Sequence, residues 1–212
     1  MLLIGMFDSP FVRRVAISLK LCGIAFEHGD WSVGADFERI RQYNPLVRVP
    51  TLVLDDGEVL LESQALLDYL DELVGPQRAL LPRLGRERRS ALKLMAVAMG
   101  AAEKARDQVY ERAFRPPEKR FEPWLARCRT QMHGALSELE RHATERGAGR
   151  WLVGERMTQA DISTICAFTF LTDALALSAN TAPYPSLRAL AARCEALPEF
   201  QSTRVEFFVP AS

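Results

Sequence analysis

Along residues 1–75 the apolar positions change period several times, which predicts short strands alternating with helices. Residues 2–6, LLIGM, are a brief apolar run suited to one strand. In residues 11–22, Phe11, Val15, Ile17, Leu19 and Cys22 fall on roughly one helical face, and Gly23 stands where a helix ends by turning left-handed. AFEHGDW (25–31) reads as a second strand, and DFERIRQYNP (36–45) as a short polar helix stopped at Pro45. Two β-rich runs in TLVLDDGEVLLE (51–62) flank Asp56-Gly57, a pair that closes a tight hairpin. Ser63 then opens an amphipathic helix carrying Leu66, Leu67, Leu70 and Leu73. The predicted order is βαβαββα.

VGPQRALLPRLG (74–85), with its prolines and glycines, interrupts that pattern. From Arg86 onward the strand signals fade and helical spacing takes over: Leu92, Met95, Ala96 and Met99, then Leu125, Cys128, Met132, Leu136 and Leu139, then Ile162, Ile165 and Cys166. Pro116-Pro117, Gly147 with Gly149, and Pro183 with Pro185 divide this half into separate helices. The chain therefore reads as an α/β domain at 1–78 followed by an all-α domain at 85–212, with no internal repeat.

Composition changes this picture little. Of 212 residues 48% are hydrophobic and 25% charged, which excludes a disordered or collagen-like chain. Lysine plus arginine and aspartate plus glutamate are 27 each, so no excess charge calls for a nucleic-acid partner. No apolar stretch is long enough to span a membrane, and MLLIGMF lacks the basic region of a signal peptide. Cys22, Cys128, Cys166 and Cys194 are widely spaced beside apolar residues, which predicts buried reduced thiols and a cytoplasmic protein. His28, His133 and His142 have no metal-ligand spacing, so no metal is expected. RLGRERR (83–89) alternates with Glu87 and reads as a solvated or subunit-facing surface.

Three stretches carry candidate chemistry. In SPFVRRV (9–15), Ser9 stands at the start of the first helix, either as a cap or facing a substrate where the helix dipole favours an anion. It has no neighbouring histidine in sequence to make it a nucleophile, and Asp8 and Ser18 fit the place less well. In NPLVRVPTLVLDDGEVLLES (44–63), Pro50 must open a strand or lie at its edge. A cis Val49-Pro50 bond would turn the Val49 N–H and C=O outward, ready to pair with an extended peptide. Ser63 is placed as the N-cap of the next helix, where it is either a plain cap or the holder of a carboxylate, with Glu62 beside it for an amino group. TQAD (158–161) reads as a capping box in which Thr158 and Asp161 satisfy each other's backbone N–H, flanked by Met157 and Ile162 as a hydrophobic staple.

Together these residues resemble the glutathione transferases over essentially the whole chain. The resemblance implies a thioredoxin-like N-terminal domain that binds glutathione, then a helical domain with a second-substrate pocket. Ser9 takes the position facing the glutathione sulfur, Val49 and Pro50 supply the backbone pair for the cysteinyl unit, and Glu62 with Ser63 holds the γ-glutamyl end. Thr158 and Asp161 match the family's folding box, a structural role. Phe11, Met99, Glu103, Arg106 and Tyr110 are assigned to the pocket, with core packing an equal alternative for Met95 and Met99, and VEFFVPAS (205–212) completing its wall. Members with cysteine at the first position perform thiol-disulfide chemistry, whereas serine here favours addition or substitution by glutathione. The implied activity is conjugation of the glutathione thiolate to a hydrophobic electrophile by a homodimer that uses neither metal nor nucleic acid nor membrane. Isomerisation, dehalogenation and peroxide reduction would use the same site, and a non-catalytic binding or regulatory protein of this fold is the rival of a different class.

Overall fold

The computed structural model describes residues 1–175 and 183–208. Seven elements in the order read from the sequence build the N-terminal region: β1 (Leu2–Ile4), α1 (Pro10–Leu21), β2 (Glu27–Gly29), α2 (Phe37–Arg41), β3 (Thr51–Val53), β4 (Val59–Leu61) and α3 (Ser63–Val74). The sheet runs β2-β1-β3-β4. β1 is parallel to β2, with Leu3 opposite His28, and antiparallel to β3, with Leu3 opposite Leu52. Leu3, Ile4 and Leu52 are fully buried, which fixes the register because a one-residue slip would turn them outward. The β3–β4 hairpin closes as its sequence requires: the Leu54 N–H donates to the Glu58 carbonyl, and Gly57 takes a left-handed φ of 91°.

α1 is more deeply enclosed than its pattern predicts. Besides Val15, Ile17 and Leu19, it buries Arg13, Arg14 and Ser18. The reason is tertiary: α1 lies between α3 of its own layer and α6 (Gln159–Ala174) of the helical region, so two of its faces lack solvent. Gly23 ends the helix at φ 64°.

The C-terminal domain is helical. α4 (Gly85–Phe114) is 30 residues long and packs on α5 (Glu122–Arg146) and α6. Ala91, Ala98, Ala101, Ala102 and Ala105 are fully buried along α4, and their short side chains let neighbouring helices approach closely. Pro116-Pro117 ends α4 in a single 3₁₀ turn, and Gly147 at φ 92° ends α5. α7 (Pro185–Glu195) and the short α8 (Pro198–Gln201) complete the described elements. One hydrophobic core runs from Leu3 on the sheet through Leu136 and Ile165 to Phe200. A smaller cluster of Ile4, Trp31, Ile40 and Val47 seats α2 on the other side of the sheet.

α6 is buried almost all round, and its N-cap is closed by side-chain hydrogen bonds, although Gln159 Oε1 at its first position has no partner among the described residues. The Thr158 N–H and hydroxyl donate to Asp161 Oδ2 at 2.9 and 3.0 Å, and the Leu152 N–H donates to Asp161 Oδ1 at 2.8 Å. The Ala160 N–H returns a bond to Thr158 Oγ1 at 3.3 Å, closing the capping box.

Candidate active site

The site begins with the turn from β1 into α1. Gly5 has φ 128°, and a Cβ there would stand 2.6 Å from Val12 Cγ2 and 2.7 Å from Val49 Cβ, so only glycine lets the α1 start come this close to the Val49 loop. Ser9 is the N-cap, with extended backbone (φ −71°, ψ 122°). Its N–H donates to the Met6 carbonyl and its carbonyl accepts from Arg13. Its hydroxyl makes no capping bond, and Pro10 at the first helical position has no N–H to be capped. Ser9 lines a cavity of about 580 Å³.

The second element is the loop after α2. The Asn44 amide donates to the Arg48 carbonyl at 2.8 Å and to Thr51 Oγ1 at 3.1 Å, and Asn44 Oδ1 accepts from the Leu46 N–H at 2.9 Å. Within that frame the Val49-Pro50 peptide is cis. The Val49 N–H and C=O take no hydrogen bond among the described residues, so an edge is free for an extended peptide.

The third element is the start of α3, and here the structure corrects the sequence. The N-cap is Glu62, in the left-handed region at φ 72°, and Ser63 is the first helical residue. Glu62 Oε1 accepts from the Gln64 N–H at 3.2 Å and from the Ser63 hydroxyl at 3.1 Å. A carboxylate outcompetes the neighbouring hydroxyl for the cap because it accepts more strongly and suits the positive end of the helix. Ser63 is 1% exposed, and its Oγ accepts from Arg14 Nη2 at 2.7 Å. Val49, Pro50, Glu62 and Ser63 line one small pocket, which shares Phe11, Leu46, Arg48 and Val49 with the large cavity.

The fourth wall comes from the C-terminal half of α4. Phe11, Arg106 and Tyr110 line the large cavity, whereas Met99 and Glu103 lie outside it. The cavity reaches only the last turns of α4, and Met99, two turns earlier, packs partly buried against the core. Asp107, Val109 and Phe114 stand on the wall, with Phe170, Phe207 and Phe208 arriving from α6 and the tail. Of the tail stretch 205–212, residues 209–212 lie outside the described residues.

The electrostatics follow from burial. Asp8 also borders the cavity; burial pushes its carboxyl above the usual range, against the pull of the hydrogen bond it accepts from the Phe208 N–H at 3.2 Å. Burial also pushes the Arg14 guanidinium down to about 10 and the Cys166 thiol beneath it up to about 12, so the arginine stays cationic and the thiol protonated at neutral pH. Ser18 is not a site group: it is fully buried and donates to the Arg14 carbonyl. The four cysteines are free and buried. His28 stacks on Phe7 and bonds the Gly5 carbonyl, His133 meets the Tyr184 hydroxyl, and His142 meets the Leu152 carbonyl. Among the described residues no three His, Cys, Asp or Glu side chains are grouped for a metal ion, and no helix is long and apolar enough to cross a membrane.

Asn44 and Arg14 were not singled out from the sequence. Arg14 had a signal: at three and four residues from Phe11 and Ser18 it shares the inward face of α1, where a charge is out of place. The whole arrangement suits a short extended peptide. Val49 would pair with its backbone, Glu62 and Ser63 would receive an amine and a carboxylate at one end, and Ser9 would meet a side chain at its middle.

Comparison with known proteins bears on this arrangement. Residues 3–78 match the family model "Glutathione S-transferase, N-terminal domain", and residues 122–193 match "Glutathione S-transferase, C-terminal domain". An uncharacterised GST-like protein of Escherichia coli, YibF, is 33% identical over 172 residues, 81% of this chain and 82% of its own. A probable maleylacetoacetate isomerase of Vibrio cholerae is 26% identical, covering 97% of this chain and 96% of its own. The structure superposes with a TM-score of 0.87 on a glutathione S-transferase of Methylobacterium radiotolerans in complex with glutathione sulfonate, at 30% identity over 100% of this chain and 95% of that one. A glutathione transferase family member of Pseudomonas fluorescens with bound glutathione gives 0.83, at 32% identity over 96% of this chain and 98% of that one.

Proposed function

The chain belongs to the glutathione S-transferase family, and on that premise we propose that it binds glutathione in the pocket of Val49, Pro50, Glu62 and Ser63 and transfers it to a hydrophobic electrophile. Residues 1–78 serve as the glutathione-binding domain and 85–212 as the helical domain that completes the second-substrate cavity. Phe11, Arg106 and Tyr110 border the electrophile, while Met99 and Glu103 act at most from behind the wall.

One observation carries this reading: the Ser9 hydroxyl sits at a helix N-terminus, uncommitted to capping, on a cavity wall it shares with Val49. A free cysteine-type thiol titrates near ~8.5, so only a few per cent is thiolate at neutral pH. A donated hydrogen bond to a charged acceptor is worth about 1.5–3 kcal/mol, equivalent to about one to two pKa units, which brings the bound thiol close to neutrality. The thiolate then attacks an electrophile already held against it, and proximity supplies much of the acceleration. Ser9→Ala is expected to raise the pKa of bound glutathione, read as thiolate absorbance against pH, and to cut turnover on an aryl halide by about 10- to 100-fold at nearly unchanged glutathione affinity. Unchanged pKa and rate would transfer thiol activation to another group, such as an N–H in this turn.

A second reaction on the same site, isomerisation by reversible thiolate addition to an activated alkene, is favoured by the Vibrio cholerae relative's name and by Arg48, a cavity cation with no ion pair among the described residues. The non-catalytic alternative predicts no turnover in either assay. The buried free cysteines suit the reducing cytoplasm. Exposed Leu73, Leu84 and Leu92, beside the arginines at the start of α4, support a two-fold dimer, and a monomer by light scattering at micromolar protein would overturn it.

A further inference from the structure

Asp8 stands immediately before Ser9 and lines the same large cavity, with Phe11, Tyr110 and Phe208. Its Oδ2 accepts the Phe208 N–H at 3.2 Å, a bond that brings the tail onto the β1–α1 turn. The cations that line its surroundings are paired with other groups. Arg13 and Arg204 share a narrow pocket with Asp8 but hold Glu195 and Asp173, and Arg106 on the cavity wall holds Asp107. Among the described residues no ion pair joins Asp8 to a cation. Burial raises its carboxyl, the Phe208 and turn N–H groups pull it down, the negative charge of Asp30 raises it further, and the balance is upward. Tyr110, itself raised by burial, is acted on by Arg106, Arg48 and Asp8 together, so the charges of the cavity converge on one region.

An unpaired carboxyl here does not help the sulfur, because a negative charge beside a thiol opposes its ionisation. It can help the far end of the reaction. We propose that Asp8 is a catalytic residue, the proton donor that completes addition of glutathione to an α,β-unsaturated carbonyl compound. This rests on the reading of the cavity as the electrophile site beside the glutathione thiolate. The sulfur forms a bond to the β-carbon, the alkene π pair moves to give an enolate, and the Asp8 carboxyl gives its proton to the α-carbon, keeping the O–H pair as a carboxylate. The carboxylate then regains a proton from water, which received one when the glutathione thiol ionised. The sum is addition of S–H across the double bond. The Phe208 N–H on Oδ2 leaves Oδ1 to carry the proton and stabilises the carboxylate once it has gone. Consecutive Cα atoms are about 3.8 Å apart, the scale that separates a sulfur at the β-carbon from a proton delivered at the α-carbon. Substitution on an aryl halide expels an anion and calls for no such proton, so the placement of Asp8 favours conjugated carbonyls among the electrophiles.

Turnover with two electrophiles tests this: 4-phenyl-3-buten-2-one, which needs a proton after sulfur adds, and 1-chloro-2,4-dinitrobenzene, which does not. Asp8→Asn keeps an oxygen for the Phe208 N–H and removes the acid. It is expected to lower the ratio of enone to aryl-halide kcat/KM by about 10-fold or more, less than the ~10²-fold of a fully committed acid because water reaches an open cavity. Asp8→Glu, which keeps the acid, should recover part of that ratio. Wild-type turnover against pH should rise to a plateau with the aryl halide as the thiol ionises. With the enone it should rise and then fall, because the acid must be protonated to act, and Asp8→Asn should remove the falling limb. A ratio unchanged in Asp8→Asn, or a falling limb that survives in it, overturns the inference and leaves Asp8 an anchor for the tail. A wild type that converts the aryl halide and not the enone overturns it as well. A wild type that converts neither overturns the functional reading, and this inference with it.

Discussion

Helices α1 and α6 both begin at a hydroxyl residue, and the two starts are finished in opposite ways. At α6, Thr158 and Asp161 consume each other's hydrogen-bonding capacity, and Leu152 takes the remaining carboxylate oxygen. At α1, Ser9 has the same kind of side chain in the same kind of position, yet its hydroxyl caps nothing and borders a cavity. The same contrast separates the adjacent arginines, Arg13 bonded to a carboxylate and Arg14 held, among the described residues, by hydroxyls alone. A satisfied polar group stabilises the fold, whereas a polar group left open at a cavity is capacity reserved for a ligand.

The largest effect that sharpens this contrast is expected at α6. Asp161 is fully buried and accepts three hydrogen bonds, so Asp161→Ala strands the Thr158 and Leu152 N–H groups away from water. We expect a loss of about 2–4 kcal/mol in denaturant unfolding, with glutathione affinity of the folded fraction unchanged. Weakened glutathione binding in the folded protein would break the division between the two starts.

An intermediate effect is expected at the arginine bonded to the carboxylate. Burial raises the Glu195 carboxyl, but the Arg13 hydrogen bonds and charge outweigh it and leave the group below its ordinary 4.5. A carboxyl lowered in the folded state binds fewer protons there than when unfolded, so its stabilisation is present above 4.5 and is lost as pH falls through the folded value. Glu195→Gln is expected to cost about 1–2 kcal/mol at neutral pH, discounted for the partial exposure of Glu195, and the gap from wild type should close as pH falls below 4.5. A gap independent of pH would show that shape, and not charge, holds α1 to α7.

The smallest stability effect is expected where the chemistry is largest. Because the Ser9 hydroxyl makes no capping bond, Ser9→Ala should shift unfolding by no more than about 0.5 kcal/mol while slowing turnover as described above. A loss near the ~1 kcal/mol of an ordinary cap residue would make Ser9 a second Thr158.

Much of this molecule is legible along the chain because the signals are local. The βαβαββα order follows from changes of period, the hairpin from Asp56-Gly57, and the α6 capping box from four consecutive residues, TQAD. Each depends on groups within a few positions of one another, where backbone geometry allows few outcomes. Ser63 shows the limit: sequence marks a helix start at residues 62–63, but the choice between the two side chains turns on Arg14 approaching Ser63 across 49 positions. Met99 and Glu103 show it again, since helical spacing puts them in line with Arg106 and Tyr110 but does not say how far along α4 the cavity extends.

By itself, then, the sequence determined the elements, their order, the two classes of layer and the positions at which polar groups break an apolar pattern, all governed by short-range sterics and periodicity. Tertiary structure alone decided which of those polar groups found partners. α1 lies between α3 and α6, so its arginines are buried, one against Glu195 and one under Ser63. The β1–α1 turn passes Val49 at a distance only Gly5 permits, so Ser9 lines an open cavity beside Val49. Those outcomes depend on contacts between residues tens to nearly two hundred positions apart, and no local propensity encodes which distant surface will arrive.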